Sequence, residues 1–98
     1  MKEEEPTLMV IDWNQISNVD EFYDSVLSQS GAPSWHGRNL NALNDSWVTG
    51  GVNRKGPPYR FLIHKRITEN KEIEEIEFAV EEIARESIEE NGGNLEIN

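Results

Sequence analysis

Cysteine is absent from the 98-residue chain, which excludes disulfide bonds, zinc–thiolate sites and thiol nucleophiles. The chain also has no apolar run near the ~18 residues that a membrane span requires. Its first residues, MKEEEPTLMVIDW, are acidic and contain only a short apolar run, unlike a secretory signal. We therefore expect no membrane association, and we expect the protein to act in a reducing cytoplasm.

Basic residues are also few. The chain has 9 Lys and Arg residues against 19 Asp and Glu residues, which gives a net charge of −10. A field of this sign repels phosphate backbones, so direct nucleic-acid binding is disfavoured. It attracts basic proteins and speeds their encounter, although acidity that serves only solubility would give the same composition.

The strand signals predict one α/β domain over residues 1–98, in which residues 1–6 form an acidic, flexible tail. Residues 7–11 contain the run LMVI, which is apolar on both faces and predicts an interior strand of a parallel sheet. The segment YRFLIHKR predicts a second strand. The segment NLEIN predicts an edge strand with Leu95 and Ile97 facing the core.

Helical spacing of apolar residues predicts a first helix, which Asn18 and Glu21 cap at its start and which Gly31 ends. A long helix is predicted over residues 71–90, and its buried stripe consists of Ile73, Ile76, Val80, Ile83 and Ser87. With a short helix between residues 39 and 48, the order is β-α-α-β-α-β. This order predicts a two-layer α/β fold in which helices pack on a three-stranded parallel sheet.

Motifs for catalysis or metal binding are not found. His36 and His64 lie far apart in the sequence, and neither belongs to a ligand-spaced cluster. No Gly-x-Ser-x-Gly elbow occurs, and the loop GGVNRKGPP lacks the Gly-Lys-Ser/Thr ending of a phosphate loop. No carboxylate pair is singled out among the 19 acidic residues. We predict no metal, no cofactor and no enzymatic activity.

The stretch PSWHGRNLNALNDSWVTGG gathers aromatic and amide side chains that suit a surface better than a core. If Asn39 caps a helix that runs to about Val48, then Leu40, Leu43 and Trp47 form an anchoring stripe against the sheet. The same spacing places on a second, polar face the residues Asn41, Asn44, Asp45 and Val48.

Trp35 precedes this helix in a non-helical turn held by Pro33 and Gly37. Its ring either covers part of the core or serves as a rigid aromatic anchor beside a hydrogen-bonding helix face. The second arrangement is the usual makeup of an interface hot spot. Gly37 would then let a partner approach the backbone closely. The stretch therefore indicates a protein-binding site.

The same residues carry a family resemblance. The segment APSWHGRNLNALNDSW resembles the signature Pro-x-aromatic-aromatic-Gly-x-Asn-Leu-Asp-Ala-Leu-x-Asp of the barstar family, the intracellular inhibitors of secreted bacterial ribonucleases. The chain keeps Pro33, Trp35, Gly37, Asn39, Leu40, Ala42, Leu43 and Asp45. The resemblance begins at MVIDWNQI and weakens after Gly51, where the α/β order and a helix ending in Gly continue it.

The resemblance implies a barstar-like fold and a mechanism of blockade, in which the second helix and the loop before it plug the active site of a ribonuclease. It implies that Asp45 takes the place of a substrate phosphate and pairs with Arg, Lys and His groups of the enzyme. It also implies that Trp35 packs on the catalytic side chains. The last long helix would add an acidic contact at Glu86, with Glu82 and Glu89 as alternatives.

Departures from the family pattern imply a different cognate toxin. Asn41 replaces an Asp, Asn44 replaces a Trp, and Arg38 stands where an acid is common. The insertion VTGGVNRKGPPY adds Arg54 and Lys55 near the expected interface. Altered charges of this kind set specificity against wrong partners.

Residues and resemblance together predict an inhibitor, or immunity protein, that binds a basic bacterial ribonuclease toxin one to one and blocks its active site. The toxin would be made by the same bacterium and be secreted or delivered by contact. The predicted contacts are Trp35, Gly37, Asn39, Asn41, Asn44, Asp45, Val48 and Glu86. Two alternatives remain open: a barstar-like binding module for another basic protein, such as a DNase or a regulator, and a small α/β enzyme.

Overall fold

The computed structural model of the chain describes residues 6–65 and 70–98. Apart from Pro6, the predicted acidic tail lies outside the described residues. The elements follow the predicted order: β1 (Thr7–Asp12), a 3-10 turn (Trp13–Gln15), α1 (Val19–Ser30), α2 (Leu40–Asn44), a π-helical turn (Asp45–Thr49), β2 (Tyr59–His64), α3 (Lys71–Asn91) and β3 (Gly93–Ile97). Among the residues described, no helix combines the length and apolar composition needed to cross a membrane.

The three strands form one parallel sheet in the order β1-β2-β3. The predicted parallel sheet is confirmed, and so is the edge position of β3. The prediction that β1 is an interior strand was wrong, because β2 lies at the centre. An apolar run reports which faces of a strand are covered, not whether both of its edges are paired. Only one face of β1 is fully covered. Met9 and Ile11 on that face are fully buried, whereas Leu8 on the other face is 52% exposed.

The first helix starts and ends as the sequence predicts. Asn18 accepts a hydrogen bond from the Glu21 N–H at 2.9 Å, and the Glu21 carboxylate accepts one from the Ser17 N–H at 2.7 Å. The first bond satisfies an amide that the helix start leaves free, and the second ties the residue before the cap to the first turn. Gly31 ends the helix in the left-handed region at φ +64°, a conformation that glycine adopts without strain.

One hydrophobic core lies between the helices and one face of the sheet. All five residues of the predicted α3 stripe are buried, so the 3.6-residue period identified this face correctly. Trp13, for which the sequence pattern made no prediction, is fully buried and stacks on Phe22 with ring centroids 5.2 Å apart. Trp47 is also fully buried, as predicted, and lies 5.0 Å from the Phe61 ring.

Candidate functional site

The loop between α1 and α2 holds Trp35 outward. The His36 N–H donates to the Pro33 carbonyl at 3.0 Å, which closes a turn with Trp35 inside it. Trp35 is 74% exposed, so it does not cover the core. The turn that the sequence predicts around Trp35 is confirmed, and the residue is available to a partner.

His36, the next residue, is buried and joins the loop to the helical segment that follows. Its Nδ1 lies 2.7 Å from the Gly37 carbonyl, and its Nε2 lies 3.0 Å from the Ser46 hydroxyl. Because a carbonyl only accepts, Nδ1 carries a proton. The Ser46 hydroxyl also lies 3.2 Å from the Leu43 carbonyl. Sequence reasoning tested His36 only as a metal ligand and missed this contact.

Metal binding has no support from side-chain grouping. Over residues 6–65 and 70–98, no group of three or more His, Cys, Asp or Glu side chains is placed to hold a metal ion. The His36 ring contacts Gly37 and Ser46 instead. His64 is the last residue of β2 and pairs with Asp12 of β1.

Gly37 and Asn39 fix the start of α2 from within the chain. A Cβ at Gly37 would lie 2.9 Å from the Asn39 side-chain nitrogen and 3.1 Å from the Ala42 Cβ. A side chain there would force the Asn39 amide and Ala42 to shift, so glycine fits this position through internal packing, whether or not a partner approaches. The Asn39 side-chain oxygen accepts from the Ala42 N–H at 2.8 Å, which confirms the predicted N-cap.

The helical segment extends as far as predicted, but its second half is not α-helical. The Gly50 N–H donates to the Asp45 carbonyl at 2.9 Å, an i→i+5 bond that makes residues Asp45–Thr49 a π-helical turn. Each residue of this wider turn advances less around the axis than in an α-helix. Val48 is consequently half-buried and packs against the core, so it does not share the exposure of Asn41 and Asp45.

The outward face of this segment carries one carboxylate and two amides. Asn41 and Asp45 are exposed, and Asn44 is half-exposed. The Asn44 amide lies 3.5 Å from the Glu86 carboxylate, so the structure brings Glu86, rather than Glu82 or Glu89, beside this face. Within the described part of the chain, the Asp45 carboxylate has no hydrogen bond or ion pair, which leaves it available to a basic group of a partner.

The opposite face is held by α3. Leu43, Ser46 and Trp47 are buried. The Ser87 hydroxyl donates to the Trp47 carbonyl at 2.6 Å, and the Asn91 amide donates to the Val48 carbonyl at 2.7 Å. These carbonyls lie at the end of a helical segment, where backbone acceptors lack partners within the helix. Side chains of α3 thus fix the position of the outward face.

Arg38 is directed back to α1. Its guanidinium donates to the Asp20 carbonyl at 2.7 Å and to the Asp24 carboxylate at 2.9 Å. It also lies 5.8 Å from the centre of the Tyr23 ring. Burial raises the pKa of Tyr23, and the Arg38 charge lowers it in part. The basic side chain that replaces a common acid is therefore offset by Asp24 and ties the loop to α1.

The loop from residue 50 to residue 58 also returns to the end of α1. The Arg54 N–H donates to the Gly31 carbonyl at 3.1 Å, and the Lys55 N–H donates to the Ser30 carbonyl at 2.9 Å. The side chains of Arg54 and Lys55 are exposed. The loop that carries Trp35 starts at the same helix end, so the two loops share one anchoring point.

Hydrogen bonds join the loop, α2 and the π-helical turn into one site. The His36–Ser46 contact at 3.0 Å joins the loop to the π-helical turn, and the residues before them, Trp35 and Asp45, are both exposed. An exposed aromatic ring and an exposed carboxylate on two joined segments suit a basic protein surface. Glu86 adds a second exposed carboxylate to this surface.

A protein-family model described as Barstar (barnase inhibitor) matches residues 7–97. No curated protein matches the chain. The matched residues run from the first residue of β1 to the last residue of β3. They therefore include the Trp35 loop, the helical segment with Asp45 and the whole of α3, and they extend well past Gly51, where the resemblance in sequence weakens.

Proposed function

The chain belongs to the barstar family, and on that premise we propose that it is an immunity protein that binds a basic bacterial ribonuclease toxin one to one and blocks its active site. The family is described by its action as an inhibitor of barnase. The proposed toxin is made by the same bacterium, as a secreted or contact-delivered effector. The proposed place of action is the cytoplasm, where the bacterium would need protection.

The unpaired carboxylate of Asp45 is the observation that carries the proposal. It lies on the outward face of a segment whose opposite face is bonded to α3. A ribonuclease binds the phosphates of its substrate with basic groups, and a carboxylate can satisfy such groups through charge-assisted hydrogen bonds. Asp45 would then occupy the position of a substrate phosphate, and the net charge of −10 would speed the encounter.

The other proposed contacts fall into two groups, residues that face outward and residues that have internal roles. Trp35 is the proposed aromatic anchor, because it is exposed and lies in a turn that the His36–Pro33 hydrogen bond closes. Asn41, Asn44 and Glu86 are proposed polar contacts on the same face. The roles of Gly37, Asn39 and Val48 that the structure supports are internal, through packing and capping. Their contact with a partner remains a proposal.

Calorimetric titration together with an RNA-cleavage assay tests the proposal. The partners are basic bacterial ribonucleases and the toxin encoded beside this gene. We expect one-to-one binding that abolishes cleavage and that Asp45→Asn weakens by about 2 kcal/mol or more, because the basic pocket loses its paired charge. This corresponds to a roughly 30-fold rise in Kd.

Glu75→Gln is the matched control, because it makes the same change in net charge at an exposed position of α3. We expect it to raise Kd far less than Asp45→Asn does. Equal weakening by both variants would mean that only the overall charge matters. Tight binding that leaves the nuclease active would favour a module for another basic protein, and lack of binding to every nuclease would remove the inhibitor proposal.

A further inference from the structure

The two outer edges of the sheet differ. On β1, the side chain of Gln29 pairs with the outward backbone of Val10: its oxygen accepts from the Val10 N–H at 2.7 Å, and its nitrogen donates to the Val10 carbonyl at 2.8 Å. One residue of α1 thus takes the place of a neighbouring strand. Native proteins commonly cover or block an edge in such ways, because a free edge pairs with other chains.

The edge of β3 has no such cover. The Asn98 N–H donates to the Ile63 carbonyl at 2.9 Å, and the Asn98 carbonyl accepts from the Lys65 N–H at 3.1 Å. The backbone N–H and C=O groups of successive residues alternate between the two sides of a strand. Because those of Asn98 face β2, the N–H and C=O groups of Leu95 and Ile97 point away from the sheet. In the described part of the chain, these outward groups make no hydrogen bond.

A groove runs beside this open edge. It has a volume of about 460 Å³ and lies between β3 and the last turns of α3, where it is lined by Arg85, Ile88, Glu89, Gly93, Asn94 and Leu95. Ile88 and Leu95 are partly buried against the core and give the groove an apolar floor. A floor of this kind, beside free N–H and C=O groups, is the arrangement that binds a peptide as an added strand.

The charges around the groove favour a basic occupant. The Arg85 guanidinium lies 2.9 Å from the Glu81 carboxylate, so its charge is offset within α3. Glu89 forms no ion pair with any described residue, and Glu96 is exposed on β3 itself. A second copy of the chain would bring the same unpaired carboxylates and a further charge of −10 to the contact, which disfavours self-pairing.

We propose that the open edge of β3 binds an extended, cationic segment of a protein partner as a fourth strand, seated in the groove beside α3. Main-chain hydrogen bonds to Leu95 and Ile97 supply the attachment, and Glu89 selects for basic side chains. This site is separate from the face of Trp35 and Asp45, and it does not depend on the ribonuclease assignment.

Amide hydrogen exchange measured by NMR tests the proposal directly. The probe is a short blocked peptide that alternates lysine and valine, added to the wild-type chain. We expect the Leu95 and Ile97 amides to gain at least about tenfold protection, since they enter a new ladder. The Asn94 and Glu96 amides, which face β2, should change little. A peptide that alternates glutamate and valine should not bind.

Two charge-reversal variants separate the groove from the overall charge. Glu89→Lys should weaken binding of the cationic peptide at least about fivefold. Glu90→Lys is the matched control, since Glu90 is the exposed neighbour on α3 that does not line the groove. Equal weakening by both would overturn the proposal. So would protection that appears at Asn41 and Asp45 instead, or equal binding of the acidic peptide.

Leu95→Pro tests the main-chain bonds. It removes an outward N–H, and proline is tolerated on an edge strand where the N–H faces solvent. Thermal unfolding shows whether this variant folds; if it does, unchanged peptide binding would contradict strand addition. If it does not fold, hydrogen exchange and the Glu89→Lys comparison decide. Concentration-dependent protection of Leu95 and Ile97 without peptide would identify a second copy as the occupant and overturn the cationic one.

Discussion

Trp35 and Trp47 lie at the two ends of the same short segment, and their surroundings differ. Trp35 is 74% exposed, whereas Trp47 is fully buried against the Phe61 and Tyr59 rings. The same contrast occurs between neighbouring residues. Exposed Trp35 precedes buried His36, and exposed Asp45 precedes buried Ser46. In both pairs, the outward residue is followed by a bonded, buried one.

This alternation places the outward side chains on a backbone that is already fixed. A partner that binds a preorganised surface does not have to order the backbone, and less of the interaction free energy is lost on binding. The two sets of residues should therefore respond differently to substitution. Buried residues should change the free energy of unfolding, and exposed ones should change partner affinity.

The largest expected difference is between the two tryptophans themselves. Trp47→Ala should lower the free energy of unfolding by about 3–5 kcal/mol, because it removes a fully buried ring and leaves a cavity. Trp35→Ala should change it by no more than about 0.5 kcal/mol, as for an exposed residue outside any network. Urea unfolding followed by circular dichroism measures both. Comparable losses in the two variants would contradict the contrast.

A smaller effect is expected at His36. His36→Phe keeps an aromatic ring but removes the side-chain partner of the Gly37 carbonyl and leaves the Ser46 hydroxyl with only the Leu43 carbonyl, which should cost about 1–3 kcal/mol of unfolding free energy. His64→Phe is the control, since His64 is half-buried and its side-chain contact to Asn98 is long, at 3.5 Å. If both variants lose the same stability in urea, the His36 contacts have no special role in holding the segment.

The smallest effect separates two asparagines of the same segment. Asn39→Ala removes the cap of α2 and should cost about 1 kcal/mol. Asn41→Ala, on the outward face, should change the unfolding free energy by less than about 0.5 kcal/mol. Guanidinium unfolding of both variants under identical conditions measures the difference. A larger loss at Asn41 would show that the outward face also holds the segment.

The elements could be predicted from sequence because their signals are local. Asn18, Gly31 and Asn39 mark helix ends through neighbours three or four positions away, and the α3 stripe repeats at a fixed period. The order of strands in the sheet is not a local property. The run LMVI therefore predicted the covered face correctly at Met9 and Ile11, but the other face is open at Leu8 and the interior position was wrong.

The candidate site could be predicted in part for the same reason. Trp35 and Asp45 stand out because they match a family signature, and Asn41 stands out because an amide at its helical position suits a surface. The bonds that hold them are long-range: Ser87 reaches Trp47 across 40 positions, and Asn91 reaches Val48 across 43. No periodic pattern reports such a contact. The π-helical turn was not predicted, because no residue type marks it. It packs on α3, and that contact is not visible in the sequence.

The bonds from Ser87 and Asn91 end on main-chain carbonyls, and every residue type presents that same acceptor. Substitutions on the outward face therefore leave these bonds in place, whichever side chains are exchanged. A lineage could replace Asn41, Asn44 or Asp45 one at a time, meet a changed toxin and still fold. The attachment of the segment to α3 thus separates the evolution of recognition from the inheritance of the fold.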